Sequence, residues 1–167
     1  MIFTARADGR FEFCGRSTRC ALGPSGVVDA GVKREGDGAS PAGVWPLRRV
    51  LYRADRRAPP ITALPTAPID ASDGWCEAPA DPLYNRQIRL SPGAPGDRLW
   101  RDDHLYDLLV VLGHNDDPVV AGAGSAIFLH LARPGYAPTR GCVALAPEDL
   151  EALLAVARPG DALAIRG

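Results

Sequence analysis

Two residues have the types and the spacing to do covalent chemistry together. Cys142 sits in PTRGCVAL, and His130 lies twelve positions earlier in the apolar run AIFLHL. A thiol is a strong nucleophile only as its thiolate, and near neutral pH a neighbouring imidazole is suited to take its proton. Gly141, just before the cysteine, permits a tight turn and lets a substrate approach the backbone closely. Successive N–H groups at Gly141 and Cys142 are candidates to stabilise the negative charge that develops when a thiolate attacks a carbonyl. The chemistry indicated is nucleophilic attack by a thiolate on a carbonyl. The plainer alternative is that Cys142 is a small buried hydrophobe and His130 a core histidine with its ring satisfied.

Other polar residues are open to two readings. His114, in VVLGHNDD, either lines a cleft with Asn115 or belongs to a turn that leaves a strand. The stretch WRDDHLY over residues 100–106 either grips a sugar or peptide or is a solvated loop. Lys33, Arg34 and Glu35 form a solvated edge, or one of the two cations meets a substrate carboxylate. Asp102, Asp103, Asp116 and Asp117 lack the fixed spacing of a hard-cation site. Zinc on His114, His130 and Cys142 is chemically feasible, but no local spacing asks for it. No metal and no cofactor are expected.

The elements that must position these residues are mostly strands. Leu108–Leu112 (LLVVL), Ala126–Leu131 and Gly141–Leu145 read as buried strands, and Ala162–Ile165 as a final one. Phe11–Phe13 and Arg19–Leu22 read as a hairpin with its turn at Gly15–Ser17, and Val44–Leu51 as a further strand. Gly31–Gly43 is rich in glycine and reads as a turn-rich loop. Arg53–Arg101 reads as a long surface excursion with short strands, one near Arg86–Leu90, of the kind that often builds part of a binding site. Pro147–Ala157 is the one convincing helix. Proline opens it, Glu148 and Asp149 fill its first turn, and Leu150, Leu153, Leu154 and Ala157 form one apolar face. The fold expected is mainly β, a sandwich or barrel with one clear helix in the C-terminal half and long loops.

The chain has 167 residues, a length that suits one domain spanning 1–167, and its 46% hydrophobic content supports a real core. With 19 basic and 20 acidic residues there is no cationic surplus to draw nucleic acid or an anionic membrane. No apolar run reaches the roughly twenty residues of a membrane span. The opening MIFTARADGRFEF lacks the basic start and apolar stretch of a secretory signal. The four cysteines form no CxxC pair, so free thiols are expected, with a Cys14–Cys20 disulfide as the alternative.

The stretch IFLH–LARPGYAP–TRGCVAL resembles the signature of the L,D-transpeptidase (YkuD-type) family: a histidine after an apolar strand, a loop, then Ser/Thr-x-Gly-Cys. The upstream KREGDGASPAGVWPL resembles the family's glycine-rich segment. The resemblance runs over most of the chain from Cys20 onward. It implies that Cys142 forms a thioester on a cell-wall peptide, with His130 as base. It implies that the Leu131 carbonyl orients the imidazole, that Gly141 and Cys142 supply the oxyanion donors, and that Thr139 supports the turn. The partners implied are the donor and acceptor peptide stems of peptidoglycan, with the protein a monomer. The place implied is the periplasm or cell envelope; a cytoplasmic location is the alternative, given the opening segment.

Three departures stand out. Arg140 replaces the family's usual histidine before Gly-Cys, so His130 is the motif's only histidine. Ala144 replaces a common arginine, whose substrate contact falls to Arg140 or Arg133. The loop from histidine to cysteine is short. This is similar to a small subclass that forms 1,3 rather than 3,3 links between diaminopimelate residues. A cysteine endopeptidase on the same scaffold and an inactive wall-binding module are the rival functions.

Overall fold

In the computed structural model, which describes residues 1–167, the chain folds as β1 (Ile2–Arg6), β2 (Arg10–Phe13), β3 (Arg16–Ala21), β4 (Val27–Asp29), β5 (Ser40–Tyr52), β6 (Thr66–Pro68), β7 (Asp73–Trp75), β8 (Gln87–Arg89), β9 (Asp97–Arg98), β10 (Leu108–Leu112), β11 (Phe128–Leu131), β12 (Val143–Leu145), α1 (Pro147–Val156) and β13 (Ala162–Arg166). The main sheet runs β10-β11-β12-β3-β2-β1-β13-β5, and the second half of β5 pairs back onto β10. The sheet therefore closes into a barrel-like ring. β5 is long enough to serve both flanks: Gly43–Pro46 pair with β13, and Leu47–Tyr52 with β10. The mainly β architecture with one helix is as expected. No helix is long and apolar enough to cross a membrane.

Strand alternation sorts the ring into two faces. Leu108, Val110 and Leu112 of β10, Leu129 and Leu131 of β11, and Val143 and Leu145 of β12 point inward, with Phe3, Phe11, Leu163 and Ile165 from the far side. The apolar face of α1 (Leu150, Leu153, Leu154), with Ala157 at its end, packs into this same cluster. Between them, the in-between residues of these strands face outward: Leu109, Val111, Phe128 and Cys142. They are covered by the excursion, residues 53–101, through Ile69, Trp75 and Leu99, and by Tyr106 just after it. Trp75 and Tyr106 meet Phe128 edge-on at 5.0 and 5.7 Å. The excursion carries its own sheet, β8-β7-β9, so it is a packed layer rather than a surface loop.

Several expectations need correction. β1 was not read as a strand; it pairs parallel with β13 and antiparallel with β2. The hairpin turn is Cys14–Gly15, not Gly15–Ser17. Both residues have positive φ (48° and 73°), the geometry of the two-residue turns that match strand twist, so β3 begins already at Arg16. The glycine-rich loop ends before Ser40, where β5 starts and pairs with β4. The helix ends at Val156, with Ala157 as its cap. All four cysteines are free thiols.

Candidate active site

β11 and β12 run parallel with Leu129 opposite Val143 and His130 opposite Ala144. Alternation then places Phe128 and His130 on the same outward face as Cys142 and Ala144. Adjacent strands lie about 4.8 Å apart and residues two positions along differ by about 6.6 Å, so the His130 and Cys142 Cα atoms sit on a diagonal of roughly 8 Å. Both side chains line one cavity of about 210 Å³ between the barrel and the excursion. They are deeply set, 5% and 6% exposed.

The ring of His130 is held by its own backbone neighbourhood. Nδ1 lies 2.8 Å from the Leu131 carbonyl oxygen. A carbonyl only accepts, so this nitrogen carries the proton in the neutral ring and Nε2 is left as the acceptor. Tyr106 packs edge-on against the ring at 5.3 Å and fixes its plane. Burial lowers the His130 pKa to about 4, only partly opposed by the Leu131 carbonyl. Burial likewise pushes the Cys142 thiol up to about 12. The resting pair is therefore thiol and neutral imidazole, not thiolate and imidazolium.

The thiol is also held. Sγ donates to the Ala126 carbonyl at 3.1 Å and accepts from the Phe128 N–H at 3.3 Å. Ala126 has φ 54°, an uncommon conformation for a residue with a side chain, which aims that carbonyl at the sulfur. Its N–H is bound by Asn85 Oδ1, which also accepts from Trp75 Nε1. Asn85 Nδ2 donates to the carbonyls of His114 and Asn115. Asn85 is 4% exposed and ties the excursion to the strand that cradles the sulfur. Sequence reasoning missed it, because nothing local marks an asparagine in PLYNRQ as a hub.

The turn before Cys142 follows from its residues. Thr139 Oγ1 accepts from the Gly141 N–H at 3.1 Å and donates to the Cys142 carbonyl at 2.7 Å. Thr139 therefore fastens the turn, and in this state the Gly141 amide is directed at Thr139 Oγ1. Gly141 has φ 129°, and a Cβ there would come within 2.7 Å of the Ala39 carbonyl oxygen in the glycine-rich segment. Only glycine fits. In that segment Lys33 is buried against Asp37 at 2.6 Å, and Glu35 accepts from Ser125 Oγ at 2.6 Å and from the Tyr84 hydroxyl.

Arg133 and Arg140, both exposed, line the cavity, as does the buried Ala144. Arg101, Leu105 and Tyr106 of the WRDDHLY stretch also line it. The Tyr106 hydroxyl donates to Asp97 at 2.7 Å. His114 and Asn115 are not brought to Cys142. They line a second, wider cavity of about 600 Å³, beside Trp45. Asn115 is occupied with Val120 and Gly124. His114, 4% exposed, packs on Trp45 at 4.8 Å. Since His114 lies in the other cavity, it does not converge with His130 and Cys142 on a metal position. Of the aspartates considered, Asp103 pairs with Arg101, and Asp116 with Arg48.

The arrangement sets a thiol and a neutral imidazole in one cavity. The model of the YkuD L,D-transpeptidase catalytic domain matches residues 12–165. No curated protein matches the chain. Among solved structures, it is similar to Mycobacterium tuberculosis L,D-transpeptidase 1, with a TM-score of 0.46 and 16% sequence identity over 99% of this chain. The chain spans 58% of the length of that protein. On the extent of the family match, this chain belongs to the YkuD L,D-transpeptidase catalytic domain family.

Proposed function

We propose that this protein is a peptidoglycan L,D-transpeptidase that works through a Cys142 thioester. The observation that carries the reading is the His130 ring, locked by Leu131 through Nδ1 so that Nε2 is the free base in the cavity that also holds the thiol. When a donor peptide enters, Sγ exchanges the Ala126 carbonyl for Nε2 as its proton acceptor. The sulfur attacks the peptide carbonyl as the proton moves to the ring. The departing amine takes that proton, and the thioester remains on Cys142. An acceptor amine then attacks the thioester, the C–S bond breaks, and its proton returns through His130 to the sulfur. Starting from a neutral pair suits this order, because proton transfer need only occur once a carbonyl is present to take the sulfur's electrons.

The Cys142 N–H is the proposed oxyanion donor. The Gly141 amide joins it only if the Thr139 bond opens. Arg133 and Arg140 in the cavity lining fit the carboxylates of a peptide stem, in place of the arginine lost at 144. A wall substrate goes with a working place in the periplasm or cell envelope.

Purified protein incubated with disaccharide-peptide fragments and followed by mass spectrometry tests the reading. Cross-linked dimers are expected, and fragmentation of the dimers distinguishes the 1,3 diaminopimelate link, favoured by the divergent T-x-G-C-V-A motif, from the 3,3 link. Shortened monomers alone would make it a hydrolase, and unchanged fragments would leave a binding module.

A further inference from the structure

The cavity that holds Cys142 is lined by seven charged side chains, and five are already engaged by the protein. Lys33 is held by Asp37. Glu35 is held by Tyr84 and Ser125. Asp97 accepts from Tyr106 and faces Arg101. Arg101 and Arg133 both reach Asp103. Two remain: Glu77 and Arg140, whose side chains make no hydrogen bond or salt bridge with the protein. They come from opposite walls. Glu77 follows β7 on the excursion, and Arg140 lies in the turn that delivers Cys142.

We propose that Glu77 and Arg140 together bind the zwitterionic head of the incoming acceptor, Glu77 taking its ammonium and then the proton which that ammonium sheds to become the attacking amine, and Arg140 its carboxylate; the amine's second proton passes through His130 to the sulfur as the C–S bond breaks. This rests on the transpeptidase reading and deepens it. The two legs are unequal for a physical reason. Glu77 is half-buried and has Asp97 as a like-charged neighbour, so its carboxylate is poorly compensated until a cation arrives. Burial raises its pKa, and the distant Arg140 only partly offsets that. Arg140 is exposed and solvated, so its contribution is that of a rim charge. A simple anion would leave Glu77 uncompensated, and a simple amine would leave Arg140 unused. An α-amino acid centre, with both charges on one carbon, satisfies both.

The test separates the two half-reactions. Wild-type acyl-enzyme is first formed with a donor wall fragment and detected by intact mass. Absence of that adduct on wild type overturns the transpeptidase reading itself. Where the adduct forms, its resolution is timed with D-alanine and with D-alaninamide, which keeps the amine and lacks the carboxylate. Glu77→Gln is expected to raise the concentration needed for half-maximal resolution about tenfold for both acceptors. Arg140→Gln is expected to raise it about threefold for D-alanine only, erasing the preference over the amide. Two results overturn the clamp: a Glu77→Gln acyl-enzyme that both acceptors resolve as wild type, or a preference for D-alanine that survives Arg140→Gln.

Discussion

The two faces of the same three strands do different work. The inward residues of β10, β11 and β12 are leucines and valines packed against other apolar side chains, where volume-conserving hydrophobic swaps are tolerated best. The outward face of the same strands carries one imidazole, with one thiol just before β12, under a lid of aromatic rings; carbonyls and an amide hold the sulfur and His130 Nδ1, and Nε2 is left free. Inside, shape decides. Outside, each hydrogen bond fixes a protonation state or a direction. A single period-2 alternation thus separates an all-apolar face from one that mixes apolar packing with the residues proposed to react.

That contrast can be broken by substitution, and the largest effect belongs to the outer face. His130→Gln is expected to lower turnover by roughly 10²–10⁴-fold while the melting temperature stays near that of wild type, as steady-state kinetics and thermal unfolding would show. Leu129→Ala, one position away but pointing inward, should reverse the pattern: a loss of about 2–5 kcal/mol in urea unfolding, with turnover of the folded fraction close to normal. If both variants lose stability and activity together, the two faces are not separable.

Asn85→Ala sits at the joint between the regions. It unbinds Trp75 Nε1 and the Ala126 N–H, so about 1–3 kcal/mol of stability should go, and turnover should fall because the Ala126 carbonyl loses its aim at the sulfur.

A further effect is one of pH. Burial depresses the folded-state pKa of both His130 and His114 from 6.5 to about 4. The unfolded chain therefore binds more protons between pH 6.5 and 4, and stability is full above 6.5 and declines as pH falls through that window. Urea midpoints measured across it should show the decline, and His114→Gln should make it shallower. By the same shift the acid limb of kcat/KM should lie near pH 4. A limb near 6.5 would mean that the imidazole is not buried in the working enzyme.

Much of this was legible from continuous apolar runs. LLVVL, AIFLHL and the α1 stripe each bury their residues whatever the rest of the chain does, so β10, β11 and α1 could be read from the sequence. The expected Cys142–His130 pair rests on a strand histidine, a Gly-Cys turn and the family resemblance, and both residues line one cavity. β1 was not, since IFTAR is short and is defined by partners far along the chain at both ends. His114 follows β10, and the sequence leaves both a cleft residue and a turn open there. Strand alternation ends at Leu112, however, and gives no rule for which side the next turn takes. The contributions of Glu77, Asn85 and Tyr106 depend on how residues 53–107 fold back over the barrel, a long-range packing that no local pattern encodes.

The most direct measurement is intact-mass spectrometry of the protein after incubation with tetrapeptide-bearing wall fragments, followed by peptide mapping of any adduct. The expected result is one acyl group on Cys142, lost on adding an amine acceptor and absent in Cys142→Ala, which should fold normally. An adduct mapped to Cys14, Cys20 or Cys76, or cross-linking that persists in Cys142→Ala, would contradict the account.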